Sequence, residues 1–376
     1  MRPPNHTFLE PTRRCNFSCA HCFSGAGPPM EDELSTEAIF DLFDQLFELG
    51  SFYVIITGGE PLLRKDILDI LDYSRQYGEA QIHILFTNGS LWTREFFDEF
   101  VRIHRKQPLQ VQISLDGFSY EVYSAVRGGN PEDFGRVVRT IRWLHQAEVP
   151  VSACFTITKK NIEHTLATAR WALEEVGADS FLAIPLFVSG RAVENYEKLK
   201  FTFEEWQNLV RDITLIKRDG MWGGVEKRLS LGFYTWYELV HALDQEGLSR
   251  EVESVWNLNK EEFTSMFRDV FCEAGVTDWC IRSNGDVYPC PPSLGTEFVL
   301  GNVKDTPLEE LWENSPVLQW FRTDARKAGE KEPCSSCEYT DVCSGGCRVS
   351  AVVLARDKTA PDPRCPLVQT YQGQKK

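Results

Sequence analysis

The run Arg14-Cys15-Asn16-Phe17-Ser18-Cys19-Ala20-His21-Cys22 carries three cysteines spaced C-x3-C-x2-C. A short apolar stretch, Thr7–Pro11, precedes it, so the spacing predicts a loop leaving the end of a strand. Three thiolates this close in sequence can hold three corners of a cubane iron–sulfur cluster. No fourth cysteine lies nearby. One iron is then left open to bind and activate a small molecule, where a fully ligated cluster mainly carries electrons or holds structure.

Outward from this loop, extended apolar runs at 52–57, 81–86, 110–115, 151–157 and 180–186 alternate with helical patterns at 36–49, 65–77, 93–104, 131–146 and 161–175. Ser35 stands where the first helix needs an N-cap. This alternation implies crossover units and a parallel sheet. The predicted fold is α/β: a partial (β/α)6 TIM-like barrel, with a doubly wound open sheet as the competing architecture. Unusual residues gather at the strand ends: Gly58-Gly59-Glu60-Pro61, Thr87-Asn88-Gly89 and Ser114-Leu115-Asp116-Gly117. Barrel enzymes place their sites at this carboxyl face, where the loops converge. The cysteine loop also follows a strand and so belongs to the same mouth.

The alternation breaks between residues 190 and 270, which read as a helical bridge. Its aromatics, such as Trp206, are expected to pack beneath or beside the barrel. From Cys272 onward, cysteine, glycine and proline dominate, which predicts a small domain held by metal rather than by a core. The expected divisions are 1–189, 190–270 and 271–376. Eight cysteines fall in the last: Cys272, Cys280, Cys290, Cys334, Cys337, Cys343, Cys347 and Cys365. Eight thiolates fill two four-ligand sites, iron–sulfur clusters or, in the plainer reading, structural zinc. Cys154, the twelfth cysteine, lies mid-strand and reads as a small core residue. The sharper alternative is a hydrogen-atom donor facing the lumen.

The formal charge is −15, with 40 Lys+Arg against 55 Asp+Glu. That balance argues against nucleic-acid or anionic-membrane partners, since both need basic surface. The N-terminus lacks a signal-peptide apolar core, and no apolar run is long enough to span a bilayer. A cytoplasmic location is expected, with the cysteines reduced and their tight spacings reading as metal ligands.

The N-terminal triplet with the Gly58-Gly59-Glu60-Pro61 turn resembles the radical S-adenosylmethionine (SAM) enzymes. The array Cys272…Gly285-x4-Cys290…Cys334-x2-Cys337-x5-Cys343-x3-Cys347…Cys365 resembles their cysteine-rich SPASM extension. The resemblance implies SAM and three 4Fe–4S clusters, one held by Cys15, Cys19 and Cys22 and two auxiliary. Reductive SAM cleavage would give a 5′-deoxyadenosyl radical that abstracts a substrate hydrogen, with flavodoxin or ferredoxin as electron donor. It places His21 near adenine, Gly58 and Gly59 against the methionine part of SAM, and Glu60 toward its ammonium group, directly or through local order. Ser114 and Asp116 fall where ribose hydroxyls are met, and Arg127 where the SAM carboxylate is met, or else on the surface. Asn88 either contacts SAM or only closes the Thr87–Ser90 turn. It divides the auxiliary ligands into Cys272, Cys280, Cys290 and Cys347 for the nearer cluster and Cys334, Cys337, Cys343 and Cys365 for the outer one. If Cys280 is not a ligand, the nearer cluster has an open iron.

Sulfatase-maturing members of that family carry an aspartate after the G-x4-C cysteine. Pro291 stands there, which argues against that activity. An N-terminal peptide-clamping domain is also expected to be absent, so a peptide substrate would call for a separate clamping protein. The leading expectation is modification of a ribosomally made peptide. The alternatives are a small metabolite, such as an aminoglycoside-type sugar or a tetrapyrrole carboxylate, and a non-enzymatic zinc or iron–sulfur module.

Overall fold

A computed structural model describes residues 3–258 and 272–374. The expected division at 270–271 lies outside the described residues. Strands β1 (His6–Leu9), β2 (Tyr53–Ile56), β3 (Ile82–Thr87), β4 (Gln110–Ser114), β5 (Val151–Ile157) and β6 (Ser180–Pro185) lie side by side in chain order, all parallel. A doubly wound sheet reverses its strand order at a switch point. None occurs from β1 to β6, and the ten-stranded sheet ends on Gly301–Asn302 at one edge and Leu229–Leu231 at the other.

The connecting helices form where the pattern places them. Helix α1 (Thr36–Glu48) is capped by Ser35, whose hydroxyl accepts from the Ala38 amide, and it buries Ile39, Leu42, Phe43 and Leu46 at helical spacing. Helices α2 (Ile67–Ser74), α3 (Arg94–His104), α4 (Tyr120–Arg127), α5 (Pro131–Gln146) and α6 (Thr165–Trp171) follow. The eight-residue α4 has too short an apolar stripe to stand out in the sequence. Val54, Ile56, Leu85, Val111, Ile113, Ala153 and Phe155 join the helices in one core. Strand periodicity therefore turns Ser114, Ser152, Cys154 and Thr156 to the opposite face, the lumen. Cys154 is buried, as a core residue would be, but it lies outside that core, between Ala153 and Phe155.

Two expectations need correction. Residues 190–258 continue the alternation instead of breaking it. Helix Phe203–Asp219, closed at its start by a Thr202–Glu205 capping box, leads to strand β7 (Leu229–Leu231), which pairs parallel with β6. Three residues of strand are too few to show a period.

The segment after residue 271 also has a core. Strand β8 (Asp278–Ile281) pairs parallel with β1, and β9 (Asp286–Tyr288) and β10 (Gly301–Asn302) extend the sheet antiparallel. Trp279, Ile281, Val287, Leu308, Leu311 and Trp312 lie in the same core as β1 and α1. The Trp279 indole donates to Thr7 Oγ1 at 2.7 Å, and the Leu308 amide donates to Gln45 of α1 at 2.9 Å. These apolar residues bury against the barrel as well as against one another, with the Trp279 and Trp312 rings 5.1 Å apart, which no local pattern reveals.

Candidate active site at the carboxyl mouth

The cysteine loop leaves the end of β1 and closes on itself. The Cys15 amide donates to Gly27 O at 2.9 Å, and the Gly27 amide to Arg13 O at 3.1 Å. Cys19 is buried, while Cys15 and Cys22 are partly open. Burial pushes the Cys15 thiol up to about 12 and the Cys19 thiol up to about 11. The thiols therefore stay protonated until a cation draws out the thiolate, as metal ligands do.

The glycine turn after β2 is pressed against this loop. The Gly59 amide donates to Thr12 O at 2.9 Å, and the Glu60 amide to Arg14 O at 2.7 Å. A Cβ at Gly59 would run into the carbonyls of Arg13 and Arg14, and Gly58 has φ +110° with Thr12 O in the way. Both glycines are thus required for the turn to touch the loop. The Glu60 carboxylate is fully buried and faces inward. It accepts from Thr87 Oγ1 at 2.7 Å, the Asn88 amide at 2.7 Å and the Leu62 amide at 3.3 Å. Burial still pushes it up to about 7, against those hydrogen bonds. Glu60 so ties the ends of β2 and β3 together, which is order provided locally. Asn88 Oδ1 accepts from the Ser90 amide at 2.9 Å, closing the turn, and its amide group reaches Asn16 of the cysteine loop at 2.8 Å.

Asp116, just past β4, is fully buried. One of its oxygens accepts from the Thr156 amide at 2.6 Å, and the other meets Arg127 Nε at 2.5 Å and lies 3.5 Å from His21 Nε2. Arg127 is mostly buried, its side chain 10% exposed, which removes the surface reading, and its Nη1 lies 3.8 Å from Cys19 Sγ. Burial holds the His21 imidazole down to about 4, so it stays neutral. Ser114 is half-buried on the lumen face, in register with Cys154.

Sequence reasoning missed the segment that grips the loop from the far side. Ser189 Oγ donates to Phe23 O at 3.1 Å, Arg191 Nε to Cys19 O at 3.0 Å, and the Arg191 amide to Cys22 O at 3.0 Å. A Cβ at Gly190, at φ +55°, would strike the carbonyls of Cys22 and Phe23. The available signal was a Ser-Gly-Arg sequence directly after the sixth strand, at the same mouth.

The other eight cysteines lie in the segment after residue 271. Cys334, Cys337, Cys343 and Cys365 line one pocket with Tyr237, Tyr339 and Gly346. Cys272, Cys290 and Cys347 pack against Ala274, Phe298 and Val349. Cys280, wholly buried opposite Tyr288 in the β8–β9 pair, packs with Tyr288, Leu294, Phe8 and Phe23, and its nearest thiol charge is that of Cys290. Burial raises the Cys272 and Cys365 thiols to about 12. Among the described residues, no three His, Cys, Asp or Glu side chains converge tightly enough for a single ion. An all-thiol set lining a pocket fits a larger, iron–sulfur group.

Residues 9–172 match the model of the radical SAM superfamily, and residues 272–338 that of the SPASM iron-sulfur cluster-binding domain. Mycofactocin maturase MftC of Mycolicibacterium smegmatis is 30% identical over 95% of this chain and 81% of its own length. The AdoMet-dependent heme synthase of Oleidesulfovibrio alaskensis is 29% identical over 98% of this chain and 87% of its own. Two solved structures share the fold. Streptococcus suis SuiB bound to precursor peptide SuiA has a TM-score of 0.76 at 19% identity, covering 98% of this chain and 77% of that one. Native anSMEcpe with bound AdoMet has a TM-score of 0.69 at 17% identity, covering 98% and 95%. No helix among the described residues is long and apolar enough to cross a membrane. An iron–sulfur loop at the mouth of a parallel partial barrel, matched by these relatives, makes the chain a member of the radical SAM enzymes that carry a SPASM domain.

Proposed function

We propose that this enzyme modifies a ribosomally synthesised peptide by hydrogen abstraction. When bound at Cys15, Cys19 and Cys22, the reduced cluster and SAM supply a 5′-deoxyadenosyl radical. The chain's own residues then hold and orient. Gly58 and Gly59 keep the β2 turn against the cysteine loop, Glu60 fixes the β2 and β3 ends, and Arg127 and Asp116 brace Cys19 and His21. Cys272, Cys280, Cys290 and Cys347 are assigned to one auxiliary 4Fe–4S cluster, and Cys334, Cys337, Cys343 and Cys365 to another. Flavodoxin or ferredoxin is the proposed electron donor, and a separate clamping protein a candidate partner.

The observation that carries the peptide reading is the unclosed sheet. With β7 at one edge and β10 at the other, the sheet does not close on itself, an arrangement that suits an extended chain. Phe23, Phe187 and Tyr234 form an aromatic wall at that mouth, with ring centroids 5.9 and 4.6 Å apart, and Tyr234 remains 41% exposed. Similarity to a maturase, mycofactocin maturase MftC, supports the same reading.

A carboxylate-bearing tetrapyrrole is the second reading. It is favoured by the buried Nε atoms of Arg13 and Arg282, which have no hydrogen-bond partner, and by the heme synthase relative. Reconstituted enzyme with SAM and dithionite should change the mass of a short precursor peptide encoded beside its gene and leave an iron coproporphyrin unchanged. The reverse result would overturn the peptide reading.

A further inference from the structure

Arg348 directly follows Cys347 and is 1% exposed. Its guanidinium donates to Gly346 O at 3.1 Å, Ala360 O at 2.7 Å and Lys358 O at 3.3 Å, and also to Gly345 O. All of these are neutral backbone carbonyls. Among the described residues no carboxylate forms an ion pair with Arg348. The neighbouring buried arginine is different: Arg364 meets Asp362 at 2.8 Å and Glu238 at 3.5 Å. A buried cation with no counter-charge is strongly disfavoured. The Asp362 carboxylate lies nearby, accepting from the Cys347 amide at 3.2 Å, but it is paired with Arg364, so an anion bound beside Arg348 would stabilise it further.

The location says what that is. Arg348 adjoins Cys347 of one thiol group in sequence, and it donates to Gly345 and Gly346, which line the pocket of the other. Its carbonyl partners Gly345 and Gly346 lie between Cys343 of the outer group and Cys347 of the nearer one. Arg348 therefore stands between the two cysteine sets. A cubane on four thiolates is anionic and becomes more so on taking up one electron, and its potential depends on nearby charge.

We propose that Arg348 is the fixed counter-charge shared by the two auxiliary clusters, and that it raises their reduction potentials by stabilising the added electron. This rests on the two-cluster reading above. Its structural contacts alone would keep the loop in shape but would not require a positive charge.

The test uses the full chain with Cys15, Cys19 and Cys22 changed to Ala, so that only auxiliary clusters remain. In dithionite titrations followed by electron paramagnetic resonance, Arg348→Gln should keep its iron while both couples move to more negative potentials. Arg348→Lys, which keeps the charge, should stay near the parent. Unmoved couples in an iron-replete Arg348→Gln variant would overturn the proposal, as would an equal shift in Arg348→Lys. If Arg348→Gln fails to hold iron, Arg348→Lys decides: retention of both clusters supports the charge, and their loss makes the role purely structural. If the parent itself holds no iron, the two-cluster reading falls and takes this inference with it, before any potential is measured.

Discussion

Arg127 Nε lies 2.5 Å from Asp116 Oδ2, and both side chains are shielded from water, at 10% and 0% exposure. The same arginine faces Cys19 Sγ at 3.8 Å. One guanidinium so links the end of β4 to the cluster loop. Truncating one partner of such a pair leaves a buried charge alone. Arg127→Ala should therefore lower stability by about 3–5 kcal/mol and weaken SAM binding as the loop loosens. Chemical denaturation and equilibrium dialysis with labelled SAM measure the two effects. Wild-type values in both would show that the pair braces nothing.

Glu10, at the end of β1, gives a pH prediction. Its carboxylate is fully buried, neither oxygen has a hydrogen-bond partner, and burial pushes it from 4.5 up to about 7. The folded state then binds its proton more tightly than the unfolded state does. Stability from this group is present below pH 4.5 and is lost as pH rises through 7. Glu10→Gln removes the ionising group. Relative to wild type, it should gain on the order of 3 kcal/mol at pH 8 and little at pH 5. Anaerobic urea melts at the two pH values check this, and an equal difference at both would contradict it.

The cysteine groups should lose structure unequally when iron is removed. The segments bearing Cys334, Cys337, Cys343 and Cys365 line a pocket, and a group bound there would supply much of their folding energy. Strand β8 is hydrogen-bonded to β1 and buries Trp279 and Ile281 in the barrel core. After chelation, hydrogen exchange should speed up in the first region and stay slow in β8. Uniform loss across both would show that β8 is held by metal instead of by packing.

Cys280→Ala should lose one auxiliary cluster and keep substrate-free SAM cleavage, because the radical-generating site has its own ligands. Cys154→Ala should keep both, since no hydrogen bond of Cys154 would be lost from the cluster loop. Iron analysis and 5′-deoxyadenosine assays on the two variants read this out. Full iron in Cys280→Ala would point to an open iron in the nearer cluster.

What could be read from the sequence was local. The six strands of the barrel show their alternation within a few residues, Ser35 caps the helix that follows it, and Cys15, Cys19 and Cys22 share one loop. The rest depends on partners far along the chain. Glu60 reads as a ligand residue, yet its carboxylate binds Thr87 and Asn88, near in space and some 27 residues away in sequence. Arg191 grips Cys19 across 172 residues, and the Trp279 indole reaches Thr7 across 272. No periodicity carries such pairings. The polar and apolar faces of β5 are legible in the sequence, but which face looks into the lumen is not.

The central claim is that Cys15, Cys19 and Cys22 hold the SAM-cleaving cluster while the later cysteines hold iron independently. The most direct measurement is 5′-deoxyadenosine formation and iron content after anaerobic reconstitution of the Cys15/Cys19/Cys22→Ala variant. The account predicts no 5′-deoxyadenosine and iron reduced to roughly two clusters' worth, since the sites share no ligands. Continued 5′-deoxyadenosine formation by that variant would contradict it.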